Sequence, residues 1–181
     1  QPLEAFVTKR IYKHLGMTDS YHHEVAEKLD GKLKRMSVVY GRRDGKWVPA
    51  WTPGDSPQYP FIRASGGMIS TARDYAVFCQ MFLNGGIYDG KRILKDETVK
   101  LMTSLHTASI YTPEEREKRT DFYGCGWSVN KEGVFSHGGS DGTAAWVDPE
   151  KKLIILIFTQ TRGGGRLRAP FLEMVNASIS R

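Results

Sequence analysis

The stretch "FSHGGSDGTAAWVDPEKKLIILIFTQ", residues 135–160, carries the clearest chemistry in the chain. His137 is followed at once by Gly138 and Gly139, then by two runs that read as neighbouring strands joined by a turn at "DPEKK". Histidine changes charge near neutral pH and can donate, accept or carry a proton. The glycine pair removes two Cβ atoms from the lip of a sheet. If that lip faces an active site, a nucleophile must stand across from it. Taken alone, the triplet fits a plain strand-end histidine beside a turn equally well. Asp141 could orient His137, but an Asp before Gly142 is better read as a turn former.

Other candidates carry less. His22-His23 invites a metal, yet no third ligand stands nearby at a recognisable spacing. A solvated pair is the better reading, and neither a metal nor a cofactor is expected. Cys79 and Cys125 have no C-x-x-C spacing and read as two buried free thiols, with a disulfide open in an oxidising compartment.

The chain has 181 residues, enough for one domain with a sizeable core, and is 40% hydrophobic and 25% charged. The net charge is +6, with cations spread along the sequence and small clusters at Lys32–Arg35, Arg42-Arg43 and Arg162–Arg168. No nucleic-acid reading motif accompanies them, so they read as a solvated basic surface, and no nucleic-acid partner is expected. No run of eighteen apolar residues offers a membrane span. The chain opens at "QPLEAFVTKR" without an initiator methionine or a visible signal peptide, which reads as a processed chain or an excised piece.

The elements that would position His137 follow from periodicity. Leu3, Phe6, Val7, Ile11 and Tyr12 recur on one helical face, and Gly16 stops that helix. Residues 20–66 are poorly periodic. There Trp47, Trp51, Tyr59 and Phe61 with Pro49, Pro53, Pro57 and Pro60 read as a long loop packed by its aromatics, with short strands at "MSVVYG" and "KWVPAW". Thr71 caps a helix whose face is Ala72, Tyr75, Ala76, Cys79, Phe82 and Leu83, ended by Gly85-Gly86. "YDGKRIL" reads as a turn, and a second helix follows, capped by Asp96. "TPEEREKRTD" reads as a polar, exposed stretch. "YGCGWSVN", "VFSH", "TAAWV" and "LIILIFTQ" read as four strands of an antiparallel meander, the last buried on both faces. "APFLEMVNASI" closes the chain as a helix with Pro170 near its start. The organisation is therefore a helix and long loop over 1–69, helices over 70–110, and strands with a closing helix over 122–181.

In order and spacing, "LGMTDS", "ASGGMISTARDYAVFCQMFLNGG", "YGCGWSV" and "HGGSDGTAAWVDPEKKLIILIFTQ" resemble the C-terminal half of the serine β-lactamase and penicillin-binding-protein-like hydrolases. The similarity is to the class C-like branch that includes family VIII esterases and D-amino-acid peptidases. It implies an α/β (α+β) fold, an antiparallel sheet flanked by helices, and a periplasmic or secreted setting. It implies chemistry on amide, lactam or ester bonds through an acyl-enzyme, with a small-molecule or peptide-like substrate. His137 would then hydrogen-bond a substrate carboxylate or help proton transfer. Gly138 and Gly139 would let the substrate lie flat against the strand. Ser140 would give its backbone N–H to the oxyanion hole.

The family's nucleophile and base stand in a Ser-x-x-Lys at a helix start, and its second proton-transfer group in a Tyr-x-Asn. The resemblance places both ahead of Gln1. Ser128-Val129-Asn130-Lys131 matches Ser-x-x-Lys by spelling, but it runs from a strand end into a turn at Glu132-Gly133, and the reading rejects it. The expectation is thus a portion of a serine hydrolase, inactive by itself. Its uncovered sheet edge and helix-packing face would pair with the missing N-terminal portion or a second copy. The alternative is a non-catalytic module that keeps the scaffold for binding or structure.

Overall fold

The computed structural model describes residues 1–22, 31–55 and 61–179. Pro57, Tyr59, Pro60 and His23 lie outside the described residues.

Residues 3–15 form one helical run, α-helical at Leu3–Val7 (α1) and Lys13–Leu15 (α2) and π-helical between them at Thr8–Tyr12. Gly16 ends it at φ 67°, a left-handed conformation that costs glycine nothing. Tyr12 is buried as the spacing predicts and Leu15, outside the predicted set, is buried too, whereas Phe6 is exposed and its neighbour Glu4 is buried.

The expected long loop holds more structure than its periodicity suggests. Tyr21–His22 (β1) pairs antiparallel with Met68–Ile69 (β4). Val39–Arg43 (β2) and Lys46–Trp51 (β3) form the two expected strands, joined as a hairpin. Asp44 and Gly45 turn it, both at positive φ, the signature of the tight turns that match strand twist. Trp47 and Phe61 are exposed rather than packed.

Thr71 caps Ala72–Leu83 (α3) as expected, accepting from the Asp74 N–H at 3.1 Å. The Asp74 carboxylate, itself buried, receives the Asp19 N–H and the Ser20 hydroxyl, both at 2.9 Å, and so pins the α2 exit to this helix. The Gly85 and Gly86 N–H groups return to Phe82 and Met81 carbonyls, closing the helix in the paired 5→2 and 6→1 pattern. The "YDGKRIL" turn is the hairpin of Ile87–Tyr88 (β5) and Lys91–Arg92 (β6). Asp96 does not cap the next helix, Asp96–Met102 (α4). It is that helix's first residue and pairs with Lys100 at 2.6 Å, one turn on. Within "TPEEREKRTD", Thr112 and Glu115 form a reciprocal capping box that starts Pro113–Lys118 (α5).

The meander has five strands, not four: Asp121–Tyr123 (β7), Ser128–Asn130 (β8), Phe135–Gly138 (β9), Thr143–Asp148 (β10) and Leu153–Phe158 (β11), in the order β11-β10-β9-β8-β7. The expected single strand "YGCGWSVN" folds back on itself, because the Gly124 N–H closes a turn onto the Trp127 carbonyl at 2.8 Å. A Cβ at Gly124 would strike the Met102 and Ser104 carbonyls, so α4 can approach only because this residue is glycine.

One sheet face buries Phe122, Val129, Phe135, Ala145 and Val147. Cys79, Met81 and Phe82 of α3 join Tyr12, Leu15 and Trp127 in the same core. Trp127 meets the Phe135 and Phe82 rings edge-on, with centroids 5.1 and 5.4 Å away. The closing helix, Arg168–Ile179 (α6), packs on β11 and buries none of its residues. "LIILIF" is covered on both faces as expected, by α3 and the core through Ile154 and Leu156 and by α6 on the side of Ile155, although only Ile155 is fully buried and the rest are half-buried on this outermost strand.

Candidate active site

Three strand ends meet at one end of the sheet: Tyr123 ends β7, Ser128 begins β8, and His137 and Gly138 end β9. The neighbour of β9 is "TAAWVD", with Ala145 opposite His137 and Ala144 opposite Gly138. His137 is exposed on this lip. Its Nε2 lies 2.5 Å from Tyr123 Oη, and the two rings meet edge to face at 76°.

Beyond β9 the chain turns through Gly139–Gly142. Gly139 N–H donates to the Thr143 carbonyl at 2.8 Å, and Gly142 N–H closes the turn on the Gly139 carbonyl at 3.2 Å. Ser140 is exposed at the turn, and its N–H has no hydrogen-bond partner among the described residues. Asp141 does not touch His137. Its carboxylate takes a hydrogen bond from Arg162 Nε at 3.3 Å, and its carbonyl takes one from the Thr161 N–H at 2.9 Å. Through Tyr40, the β2–β3 hairpin joins the same rim: Tyr40 N–H donates to Gln160 O at 2.7 Å, and Arg162 N–H to Tyr40 O at 2.8 Å.

The space that the glycines free is used by the protein itself. A Cβ on Gly138 would run into the guanidinium of Arg168, at the start of α6, and one on Gly139 into the Thr143 hydroxyl. Arg168 Nη2 donates to the Gly139 and Thr143 carbonyls at 2.7 and 2.9 Å, so one cation clamps both ends of the turn. Its Nε is buried without a hydrogen-bond partner among the described residues.

Ser128 and Lys131 are not brought together. The Ser128 hydroxyl donates to Asp121, and Lys131 Nζ donates to the Glu117 carbonyl at 3.0 Å. A serine held by a carboxylate, with its lysine turned away, lacks the adjacent base of a nucleophile. Ser128 and Ser136 instead line a groove of about 770 Å³ with Trp146, Ile155 and Leu172, on the sheet face that α6 flanks.

His22 is no solvated residue. It is buried, with Nδ1 2.5 Å from the equally buried Glu4, and ties β1 to α1. Among the described residues, no group of three His, Cys, Asp or Glu side chains could hold a metal ion. Both cysteines are free: Cys79 is buried, as expected, but Cys125 is exposed in the β7–β8 turn.

The family model described as Beta-lactamase matches residues 1–174. The chain belongs to the beta-lactamase family. As a family member it is 29% identical over 189 residues to an uncharacterized protein of Mycobacterium tuberculosis, covering 88% of this chain and 43% of that one. It is 24% identical over 184 residues to a "Putative D-alanyl-D-alanine carboxypeptidase" of Escherichia coli, covering 88% and 40%. Among solved structures, simvastatin synthase (LovD) of Aspergillus terreus superposes with a TM-score of 0.67 at 20% identity, over 88% of this chain and 44% of that one. A penicillin-binding protein homolog of Caulobacter crescentus superposes at 0.63 and 16%, over 90% and 47%. This beta-lactamase-family chain thus has the fold of the penicillin-binding-protein-like hydrolases and spans less than half the length of these relatives.

Motif reading had missed two residues of this lip. Tyr123 stands in "YGCGWSV", which reads as an unbroken strand until its glycines are given a turn. Arg168 follows a glycine loop and looks like one more surface cation; only the missing Cβ of Gly138, thirty residues earlier, hints at what fills that space.

Proposed function

We propose that residues 1–181 supply the His-Gly-Gly wall of a serine hydrolase that cleaves amide, lactam or ester bonds through an acyl-enzyme. The nucleophile and its base would come from a Ser-x-x-Lys, and the second proton-transfer group from a Tyr-x-Asn, outside these residues. The serine oxygen adds to the substrate carbonyl as its proton passes to the base. That proton then goes to the departing nitrogen or oxygen as the carbonyl re-forms on the enzyme. Water repeats the attack and frees the acid. In this reading the Ser140 N–H helps hold the transient oxyanion, His137 meets a polar group of the substrate, and the strand at Gly138 and Gly139 is the wall along which the substrate lies. The substrate is a small molecule or peptide-like chain. The D-alanyl-D-alanine carboxypeptidase description of the Escherichia coli relative favours a peptide with a terminal carboxylate.

The observation that carries this reading is the lip itself: an exposed His137 and an unengaged Ser140 N–H on a clamped turn, in a beta-lactamase-family chain. A fluorescent penicillin and a fluorophosphonate probe test it. The product of the uninterrupted reading frame that encodes these residues should be labelled stoichiometrically at a serine, and the 181-residue chain should not. An unlabelled full product would favour a non-catalytic module on the same scaffold, and a probe found on Ser128 or Ser140 would overturn the assignment of the nucleophile.

A further inference from the structure

A phenol O–H is a better donor than acceptor, because its oxygen lone pair is shared with the ring. The unprotonated nitrogen of a neutral imidazole is a good acceptor. Tyr123 Oη and His137 Nε2, 2.5 Å apart, are therefore best matched with the phenol donating. That leaves the imidazole proton on Nδ1. No side chain among the described residues takes a hydrogen bond from Nδ1, and the carboxylate of Asp141, four residues on in sequence, is engaged by Arg162.

We infer that Tyr123 is the positioning residue of His137: its hydroxyl donates to Nε2, holds the ring as the neutral Nδ1–H tautomer, and presents that N–H to an oxygen acceptor on the substrate. His137 then acts as a fixed donor and not as the general base. The substrate group that it meets is a carboxylate or carbonyl oxygen, and an ammonium at that place is rejected. The substrate half rests on the active-site reading proposed above; the tautomer half does not.

The arrangement explains why the β7–β8 turn matters. Gly124 brings the chain back under α4, and the ladder from β7 through β8 to β9 sets Tyr123 two strands from His137. A single unbroken strand over "YGCGWSV" would put no residue there.

Long-range proton–nitrogen correlation spectra of the ¹⁵N-histidine-labelled 181-residue chain, recorded above the imidazole titration, give the tautomer directly, with His137→Gln assigning the signal. His137 should show a protonated Nδ1 and an unprotonated Nε2. In Tyr123→Phe the ratio should move toward the Nε2–H form, which free imidazole side chains favour, by roughly 2- to 10-fold, the change one net hydrogen bond supports. In the one-dimensional proton spectrum of the same sample the indole N–H signals should stay in place, since a merely structural loss around Trp127 would move them. A His137 that is Nε2–H in the unaltered chain, or a ratio unmoved by Tyr123→Phe, overturns the inference. Neither readout needs catalysis. If the serine probes fail on the full product while the tautomer result stands, the hydrolase reading falls and the positioning role survives.

Discussion

Tyr123 and His137 stand fourteen residues apart in sequence and 2.5 Å apart across the end of the sheet. Their meeting depends on a turn at Gly124–Trp127 that the apolar pattern hides. The hydrogen bond is exposed, so water competes for it, yet the edge-to-face ring contact limits the geometries open to the imidazole. A histidine so held has one ring nitrogen occupied and one to offer.

Gly138→Ala should loosen this lip from behind. The new Cβ takes the place of the Arg168 guanidinium, whose two hydrogen bonds to the Gly139 and Thr143 carbonyls would have to break or shift. Arg168 is a long side chain and can swing away, so the cost is that of charge-assisted hydrogen bonds, about 1.5–3 kcal/mol. In an Arg168→Ala background the same substitution should cost little. Urea denaturation of the four proteins measures the coupling, and additive effects would show that the two residues do not share the space.

What sequence made legible was each element whose own residues carry its signal. Thr71 and the Gly85-Gly86 stop mark both ends of α3, and "TAAWV", "DPEKK" and "LIILIF" mark a hairpin. The lip is a different kind of object, since its parts come from β7, β9 and the start of α6. Nothing near Arg168 shows that Gly138 lacks a Cβ for its sake. His22 looked solvated because its partner, Glu4, lies eighteen residues away on a helix whose polar positions seemed to face water. The continuous apolar run of β11 does read as covered on both faces, by α3 and by α6, but its pattern hides that β11 is the outermost strand, where most of its residues stay half-buried.

The two thiols should differ sharply in reactivity. Burial of Cys79, on the core face of α3, raises its thiol to about 12, so almost no thiolate forms near neutral pH, and the sulfur is also shielded. Cys125 is exposed. A disulfide-exchange reagent should therefore titrate one thiol in the folded chain and two in guanidinium chloride. Two fast thiols under native conditions would mean that α3 is not seated on the sheet.

Asp148 should contribute to acid sensitivity. Burial works to raise its carboxyl, but the backbone N–H and ammonium of Lys151 and the Glu150 N–H outweigh it, and the net position is below the usual carboxylate range. A depressed folded value adds stability that is present above the unfolded value, about 4, and is lost as pH falls through the folded one. Asp148→Asn should lower stability at neutral pH and flatten its decline below about pH 4. A pH-stability curve parallel to that of the unaltered chain would show that this turn does not report on acid.

The Glu4–His22 contact ties the first helix to β1 with both side chains buried. Removing one partner leaves a buried polar or charged group behind, and such changes cost about 3–5 kcal/mol. Glu4→Ala and His22→Ala should each destabilise by about that much. The double change Glu4→Leu with His22→Leu should recover part of it, because the buried pair is removed together, while the Thr8 hydroxyl still loses its Glu4 acceptor. Chemical denaturation decides. Single substitutions that cost under about 1 kcal/mol would place the pair in water-accessible surroundings.

The last expectation concerns the surface beside α6. That helix buries no residue, and Leu167, Met174 and Ile179 are half to two-thirds exposed. Between it and the sheet runs the groove lined by Trp146, Ile155 and Leu172, and among the described residues no strand pairs with the outer edge of β11. Edges and apolar patches of this kind recruit partners. The chain spans less than half the length of these relatives, and we propose that the rest of the family fold covers this edge and groove. Covering about 400 Å² of apolar surface is worth on the order of 10 kcal/mol, comparable with the whole stability of a domain. At micromolar concentration the isolated chain should therefore associate with copies of itself, and adding the remaining portion should replace that self-association with a one-to-one complex. Light scattering distinguishes the two states, and a monodisperse monomer of 20.4 kDa that ignores the added portion would show that the edge and groove need no cover.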